Sequence, residues 1–267
     1  MKVQTAQLAG GPVNADRVFC THHAVIMLDG ATAFEPVDVN PATYAGTLGQ
    51  TIADQLDHQP DAALTDVVAT AITATADRLN LKPGWSPSST IAILRIRDAV
   101  ADLYVLGDSP IHYGTDHAAT VFSDDRLAAV APDKRAHYVA RLRAGHGFDD
   151  EHRAALIALQ RAQRRARNTP GGYWIAEADP DAAHHAVQRT VPGDHIGWAV
   201  LATDGVADYI DHTSQSWAHI ALYDIEHLDA LLGSADRWEA ETDPAGQARP
   251  RAKRHDDKTI AAVSTLW

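Results

Sequence analysis

VFCTHHAVIMLDG, residues 18–30, is the stretch from which the chain is read. From Val18 to Leu28 apolar and β-branched residues dominate, and Asp29-Gly30 then supplies a turn signal. The pattern predicts a buried strand over Val18–Leu28 that ends on a carboxylate. The same figure recurs downstream. Val100–Leu106 is a second apolar run closing in Gly107-Asp108-Ser109, and Ile196–Ala202 is a third closing in Thr203-Asp204-Gly205. A further acidic pair, Asp256-Asp257, precedes a last apolar run, Thr259–Leu266. Asp-Gly by itself is a common turn. Repeated at the ends of core strands, it offers rigid carboxylates next to water, the oxygen donors that Mg²⁺ or Mn²⁺ takes. A glycine after the aspartate also leaves a carbonyl open to coordination.

Outward from these strands, Val3–Leu8 alternates weakly, and Thr90–Ile96 faces Val100–Leu106 across Arg97-Asp98-Ala99 as a hairpin. Pro41–Asp57 and Asp61–Leu81 read as helices; in the second, Leu64, Val67, Val68, Ala71, Ile72 and Leu79 form one apolar stripe. Residues 133–168 read as two helical segments broken near Gly145-His146-Gly147. Val121-Phe122 and Tyr173–Ala176 read as short strands, Ser216–Leu232 as a helix, and residues 233–255 as an exposed loop. The order lacks a regular βαβ alternation, which favours an α+β fold of antiparallel sheets packed together with helices outside.

No linker or low-complexity block divides the 267 residues, so 1–267 is read as one domain. A net charge of −12 is the opposite of a nucleic-acid footprint. Cys20, the only cysteine, rules out a disulfide framework and a thiolate zinc site, and its place in an apolar run reads as packing. The start of the chain has no apolar signal core, and no run of 18 apolar residues occurs. A cytoplasmic monomer without membrane attachment is the expectation.

Leu28-Asp29-Gly30, Ser88-Ser89-Thr90, Gly107-Asp108-Ser109, Thr203-Asp204-Gly205 and Asp256-Asp257-Lys258-Thr259 stand in the order and spacing of metal-dependent protein phosphatases. From Asn14 to the C-terminus the chain resembles that family (PPM, type 2C), in its bacterial form. The resemblance implies a four-layer αββα sandwich and hydrolysis of phosphoserine or phosphothreonine in protein substrates by a metal-activated water. It implies two or three Mg²⁺ or Mn²⁺ ions. Asp29 would bridge two of them with the Gly30 carbonyl on the second, Asp204 and Asp256 would complete the first, and Asp125 would help hold a third. Asp16 matches the acidic position of the N-terminal motif and is a further expected metal ligand, and Asp257, where the family has Asn, is expected to be tolerated or to coordinate weakly. Asp29, Asp204 and Asp256 are thus the catalytic set.

The chain departs from the family at Gly11 (a phosphate-binding arginine), Ala15 (a glutamate) and Ala31 (a histidine proposed as general acid). His22 and His23 could aim one imidazole at the site by strand alternation, but read better as surface residues. Arg164, Arg165 and Arg167 could supply the missing arginine, but read better as a solvated helix face. Two rival readings stay open: a silent phosphoprotein-binding protein, and a phosphatase of small metabolites.

Overall fold

The computed structural model describes residues 1–35, 37–264 and 266. The 18–30 stretch forms a hairpin, not one strand. β2 (Arg17–Cys20) turns through Thr21-His22-His23 into β3 (Ala24–Leu28), with Cys20 opposite Val25 and Arg17 opposite Leu28. Thr21 closes the turn, its Oγ1 accepting from the Ala24 N–H at 2.9 Å. Every residue of β3 is buried, which explains why it reads as a continuous apolar run instead of an alternating one.

The reason is that β3 is covered on both faces. Ala24, Ile26 and Leu28 point to a helical layer, whereas Val25 and Met27 point to a second sheet. β4 (Ile91–Arg97) and β5 (Val100–Leu106) repeat the division: Ile91, Ile93, Tyr104 and Leu106 face the helices, and Ala92, Leu94, Leu103 and Val105 face the other sheet. With β8 (Val187–Pro192) these strands make a five-stranded antiparallel sheet in the order β2-β3-β4-β5-β8. The second sheet has the order β1-β10-β9-β6-β7, from β1 (Lys2–Leu8), β10 (Lys258–Ser264), β9 (Trp198–Ala202), β6 (Ile111–Gly114) and β7 (Thr120–Phe122). All of its pairings are antiparallel as well.

α1 (Pro41–His58) and α2 (Leu64–Leu79) cover the outer face of the first sheet. α5 (Asp204–His212), α6 (Trp217–Ile220) and α7 (Ile225–Arg237) cover the outer face of the second through Val206, Ile210, Trp217, Leu228 and Leu232. Four layers, αββα, result. α3 (Pro132–Arg143) and α4 (Asp150–Ala166) pack on each other through Tyr138, Leu142, Leu156 and Leu159 as a separate small cluster. No helix among the described residues is long and apolar enough to cross a membrane.

Several local expectations need correction. α2 starts at Leu64, not Asp61, because Arg95 Nη1 donates to the Pro60 and Ala62 carbonyls and holds them out of the helix. Tyr173–Ala176 is buried but forms only isolated bridges: Ser89 pairs with Ala176, and Arg167 with Tyr173. Ser216–Leu232 divides into α6 and α7 because Asp224 opens a new helix, its carboxylate accepting from the His227 N–H. Cys20 is exposed at the hairpin end, not packed.

The stretch 233–255 is no exposed loop. α7 runs on to Arg237, a wider helical turn covers Trp238–Thr242, and Glu239, Asp243 and Arg251 are buried. Thr265, in the expected last strand, lies outside the described residues; β10 ends at Ser264.

Candidate functional site

Antiparallel register decides where the acidic turns meet. The start of β2 pairs with the end of β3 (Arg17 with Leu28), and the start of β4 with the end of β5 (Ile91 with Leu106). In the other sheet the start of β10 lies beside the end of β9 (Ile260 with Ala202) and the end of β1 (Lys258 with Leu8). Asp16, Asp29, Asp108, Asp204 and Asp256 each stand just outside one of these ends. They therefore collect at one edge of the sandwich. His22 and His23 sit at the opposite end of the β2–β3 hairpin, exposed and against each other with ring centroids 4.4 Å apart. At about 3.3 Å per residue that places them far from the carboxylates.

The backbone beneath the carboxylates is tightly built. Asp29 N–H donates to Thr90 Oγ1 (3.1 Å), the Asp29 carbonyl accepts from Ser89 Oγ (2.9 Å) and from Thr90 N–H (2.9 Å), and Thr90 Oγ1 lies 2.6 Å from Ser109 Oγ. This network is what the Ser88-Ser89-Thr90 and Gly107-Asp108-Ser109 motifs supply. Asp204 opens α5, where its backbone lies at a helix N-terminus. A Cβ on Gly205 would stand 2.0 Å from the Asp257 carbonyl oxygen, so only glycine lets the 256–257 backbone pass this closely. Gly10 plays the same part on the other side, 2.4 Å from the Asp256 carbonyl carbon by the same construction.

The carboxylates act on one another. Burial, followed by the charges of Asp16, Asp204, Asp256 and Asp108, pushes Asp29 well above the usual carboxylate range. Burial raises Asp204 to about 8, with Asp256, Asp108 and Asp16 adding to it. Asp16, 1% exposed, is raised to about 7 by burial, although Thr203 Oγ1 donates to its Oδ2 at 2.7 Å. Burial also raises Asp108. Asp108 and Asp204 do show surface to the cleft, but protein surrounds them on the remaining sides and limits screening by water. Carboxylates held together in this way stay ionised only with compensating positive charge.

Part of that charge comes from Lys253, whose Nζ pairs with Asp256. Burial opposes its charge, yet Asp256, Asp257 and Asp29 hold it well above the ordinary lysine range. A set of hard oxygen donors in mutual repulsion, already drawing in an ammonium, fits divalent Mg²⁺ or Mn²⁺.

Among the described residues, the one group with three ligand atoms all within 4.8 Å of one another is Asp236, Glu239 and His255. That trio already has a cation: the fully buried Lys258 donates to Glu239 Oε2 at 2.7 Å, and His255 Nδ1 lies 2.9 Å from Asp236 Oδ1. The carboxylates of Asp16, Asp29, Asp204 and Asp256 are spread more widely, which suits donors placed around more than one ion.

The other expected ligands, Gly30, Asp125 and Asp257, differ in placement. Gly30 continues the β3 ladder by bridging to Ser89, and a Cβ there would stand 2.7 Å from the Ala15 carbonyl oxygen. Asp125 is exposed, accepts from Ser123 Oγ at 3.0 Å and adds to the field on Asp108. Asp257 is buried, and both its oxygens are engaged by backbone: Oδ1 accepts from Gly10 N–H and Oδ2 from Ala15 N–H, each at 2.9 Å. Its carboxylate ties the 10–15 loop to β10, which is a supporting task.

The sequence reading left out Asp108 as a site residue, although its Gly-Asp-Ser turn was visible. It also left out Arg249, which the supposed loop brings to the cleft, and Lys253, which it sets against Asp256. A cleft of about 240 Å³ carries Asp108, Asp204 and Asp256 together with Arg135, Asp208 and Arg249. A second, smaller hollow of about 110 Å³ adjoins it at Leu127, Gln160 and Gln163 and reaches Arg164 and Arg167.

No family model matches the sequence, and no curated protein sequence matches it. Solved structures do. The chain is similar to the serine/threonine phosphatase Stp1 from Staphylococcus aureus at 12% identity and a TM-score of 0.61, over 98% of this chain and 95% of that one. It is similar to the PPM Ser-Thr phosphatase MsPP from Mycobacterium smegmatis at 15% identity and a TM-score of 0.57, over 98% and 97%. The catalytic domain of the phosphatase PstP, solved in complex with two manganese ions, aligns at 14% identity and a TM-score of 0.56, over 97% and 96%. Over nearly its whole length, the chain has the fold of bacterial serine/threonine phosphatases of the PPM type.

Proposed function

We propose that the chain is an Mg²⁺- or Mn²⁺-dependent phosphatase that hydrolyses phosphoserine and phosphothreonine in proteins. The observation that carries this reading is the gathering of Asp16, Asp29, Asp108, Asp204 and Asp256 at one edge of the sandwich, where burial and then the neighbouring carboxylates raise Asp29, Asp204 and Asp16. The fold shared with the PPM-type phosphatases supports it.

Asp29, the Gly30 carbonyl, Asp204 and Asp256 would hold the two central ions, with Asp16 behind them and Asp125 beside Asp108 toward a third. When bound, such ions activate water and neutralise charge on the phosphoryl oxygens of a substrate. The protein's own part is positional. Thr90, Ser89 and Ser109 fix the Asp29 backbone, Thr203 orients Asp16, and Asp257 anchors the loop that carries Asp16. No side-chain nucleophile is required, and Cys20 lies at the hairpin end away from the cleft.

Phosphate release from a panel of phosphoserine and phosphothreonine peptides, with Mn²⁺ and with EDTA, tests the reading. Turnover with Mn²⁺ that EDTA abolishes is expected. No metal-stimulated turnover of any peptide would contradict the enzyme, and turnover confined to small phosphorylated metabolites would reassign its substrate.

A further inference from the structure

A cleft built of carboxylates repels a phosphate dianion unless cations also face it. Among the described residues, the cationic side chains lining it are Arg135, Arg249 and Arg251. Arg251 is spent on structure: Nη1 pairs with Asp243 Oδ2 at 2.8 Å, and Nη2 donates to the Asp243 and Glu239 carbonyls. Arg135 belongs to α3, beside Asp108, and its Nη2 reaches the Leu127 carbonyl.

Arg249 is placed differently. Its N–H donates to Asp243 Oδ2 (3.0 Å), its carbonyl accepts from Arg251 Nη1 (3.2 Å), and Pro250 follows it, restricting its backbone further. Asp243 and Arg251, 3% and 8% exposed, thus form a buried ion pair clasping the backbone of one residue. The side chain so presented enters the cleft, where Asp204 and Asp256 act on it. Its ion-pair partner is Asp208, one turn along α5 from Asp204 and 55% exposed at its side chain. Because more than half of the Asp208 side chain meets water, loss of the guanidinium leaves no buried carboxylate unpaired, and an incoming anion can take its place.

We propose that Arg249 is the phosphate-binding residue of this site: its guanidinium, parked on Asp208 in the free protein, exchanges that carboxylate for two oxygens of the incoming phosphomonoester. The planar fork suits bidentate contact with phosphate, and the clamped backbone removes much of the ordering cost. The inference deepens the phosphatase reading but needs only that the cleft takes a phosphate group.

The test is calorimetric binding of inorganic phosphate to the full chain in excess Mg²⁺, so it reads out without turnover. Arg249→Ala should weaken phosphate binding about ten- to a hundredfold, as expected for loss of charge-assisted hydrogen bonds, with Mg²⁺ affinity unchanged. Asp208→Asn breaks the same ion pair but keeps the guanidinium, and should bind phosphate at least as tightly as wild type. If Arg249→Ala does not fold, Arg249→Lys retains the charge without the fork and should still bind more weakly. The proposal is overturned if wild type binds no phosphate, if the Arg249 variants match wild type, or if Asp208→Asn loses as much as Arg249→Ala. Metal-dependent turnover by a wild type whose phosphate affinity ignores Arg249 would sink this inference alone. Arg249-dependent binding without turnover would sink only the catalytic reading.

Discussion

Replacing Asp16 by Asn should make the metal-free protein more stable, the opposite of the usual effect of altering a buried, hydrogen-bonded side chain. Asp16 is 1% exposed, and burial raises its carboxyl from 3.8 to about 7. Because the folded state holds this proton more tightly than the unfolded chain, stability is highest below about pH 4. It falls as pH rises toward 7 and is level above. At about 1.36 kcal/mol per pH unit, an ionised Asp16 costs the fold about 4 kcal/mol at pH 7.5. Asn keeps an oxygen for Thr203 Oγ1, which donates to Asp16 Oδ2 in the structure. Relaxation around the charge returns part of the cost, leaving an expected gain of about 2 kcal/mol, or roughly 4–8 °C in Tm for a domain of this size.

The assay is thermal unfolding in EDTA at pH 7.5 and pH 4.5. The gain should shrink to about 0.5 kcal/mol at the lower pH, where wild-type Asp16 is protonated in the folded state and the unfolded-chain value of 3.8 lies less than one pH unit away. In Mn²⁺ the order should reverse, since ligand binding stabilises wild type by mass action and the variant lacks one carboxylate. A variant less stable than wild type in EDTA, or a gain that ignores pH, would refute the reasoning.

Two further substitutions probe the frame of the site. Gly205→Ala puts a methyl group 2.0 Å from the Asp257 carbonyl oxygen, so the 256–257 backbone must move; a loss of about 1–3 kcal/mol on thermal unfolding is expected, with weaker Mn²⁺ binding by calorimetry. Asp257→Ala removes the acceptor of the Gly10 and Ala15 amides and should lower stability by about 3 kcal/mol. If Asp257 is a support, this change lowers Mn²⁺ affinity far less than Asp204→Ala does; equal losses would make it a ligand.

Buried strands and acidic turns were legible in the sequence because both leave local marks. β3, β4, β5, β9 and β10 are covered on both faces and so appear as apolar runs, and all but β4 have an Asp within two residues of the end that faces the cleft. The hairpin inside residues 18–30 was hidden because Thr21-His22-His23 carries neither Gly nor Pro. β8 was hidden because it is an edge strand whose Gln188, Arg189 and Thr190 are exposed. β6 is only four residues long and follows Pro110.

The gathering of carboxylates was legible where a residue sits in a turn motif, as Asp29, Asp204 and Asp256 do. The cleft around them was illegible where tertiary packing builds it. Nothing local announces that Asp243 and Arg251, eight residues apart in a polar Pro- and Gly-containing stretch, bury an ion pair that carries Arg249 into the cleft, or that Lys253 reaches Asp256. The double engagement of Asp257 by Gly10 and Ala15, about 245 residues away, is likewise a product of β1 lying beside β10.

The most direct measurement is anomalous diffraction at the manganese edge from crystals grown with Mn²⁺. The account predicts at least two peaks coordinated by Asp29, Asp204 and Asp256, with Lys253 Nζ displaced from Asp256. Density at those carboxylates without a manganese peak, or manganese only at Asp236, Glu239 and His255, would contradict it.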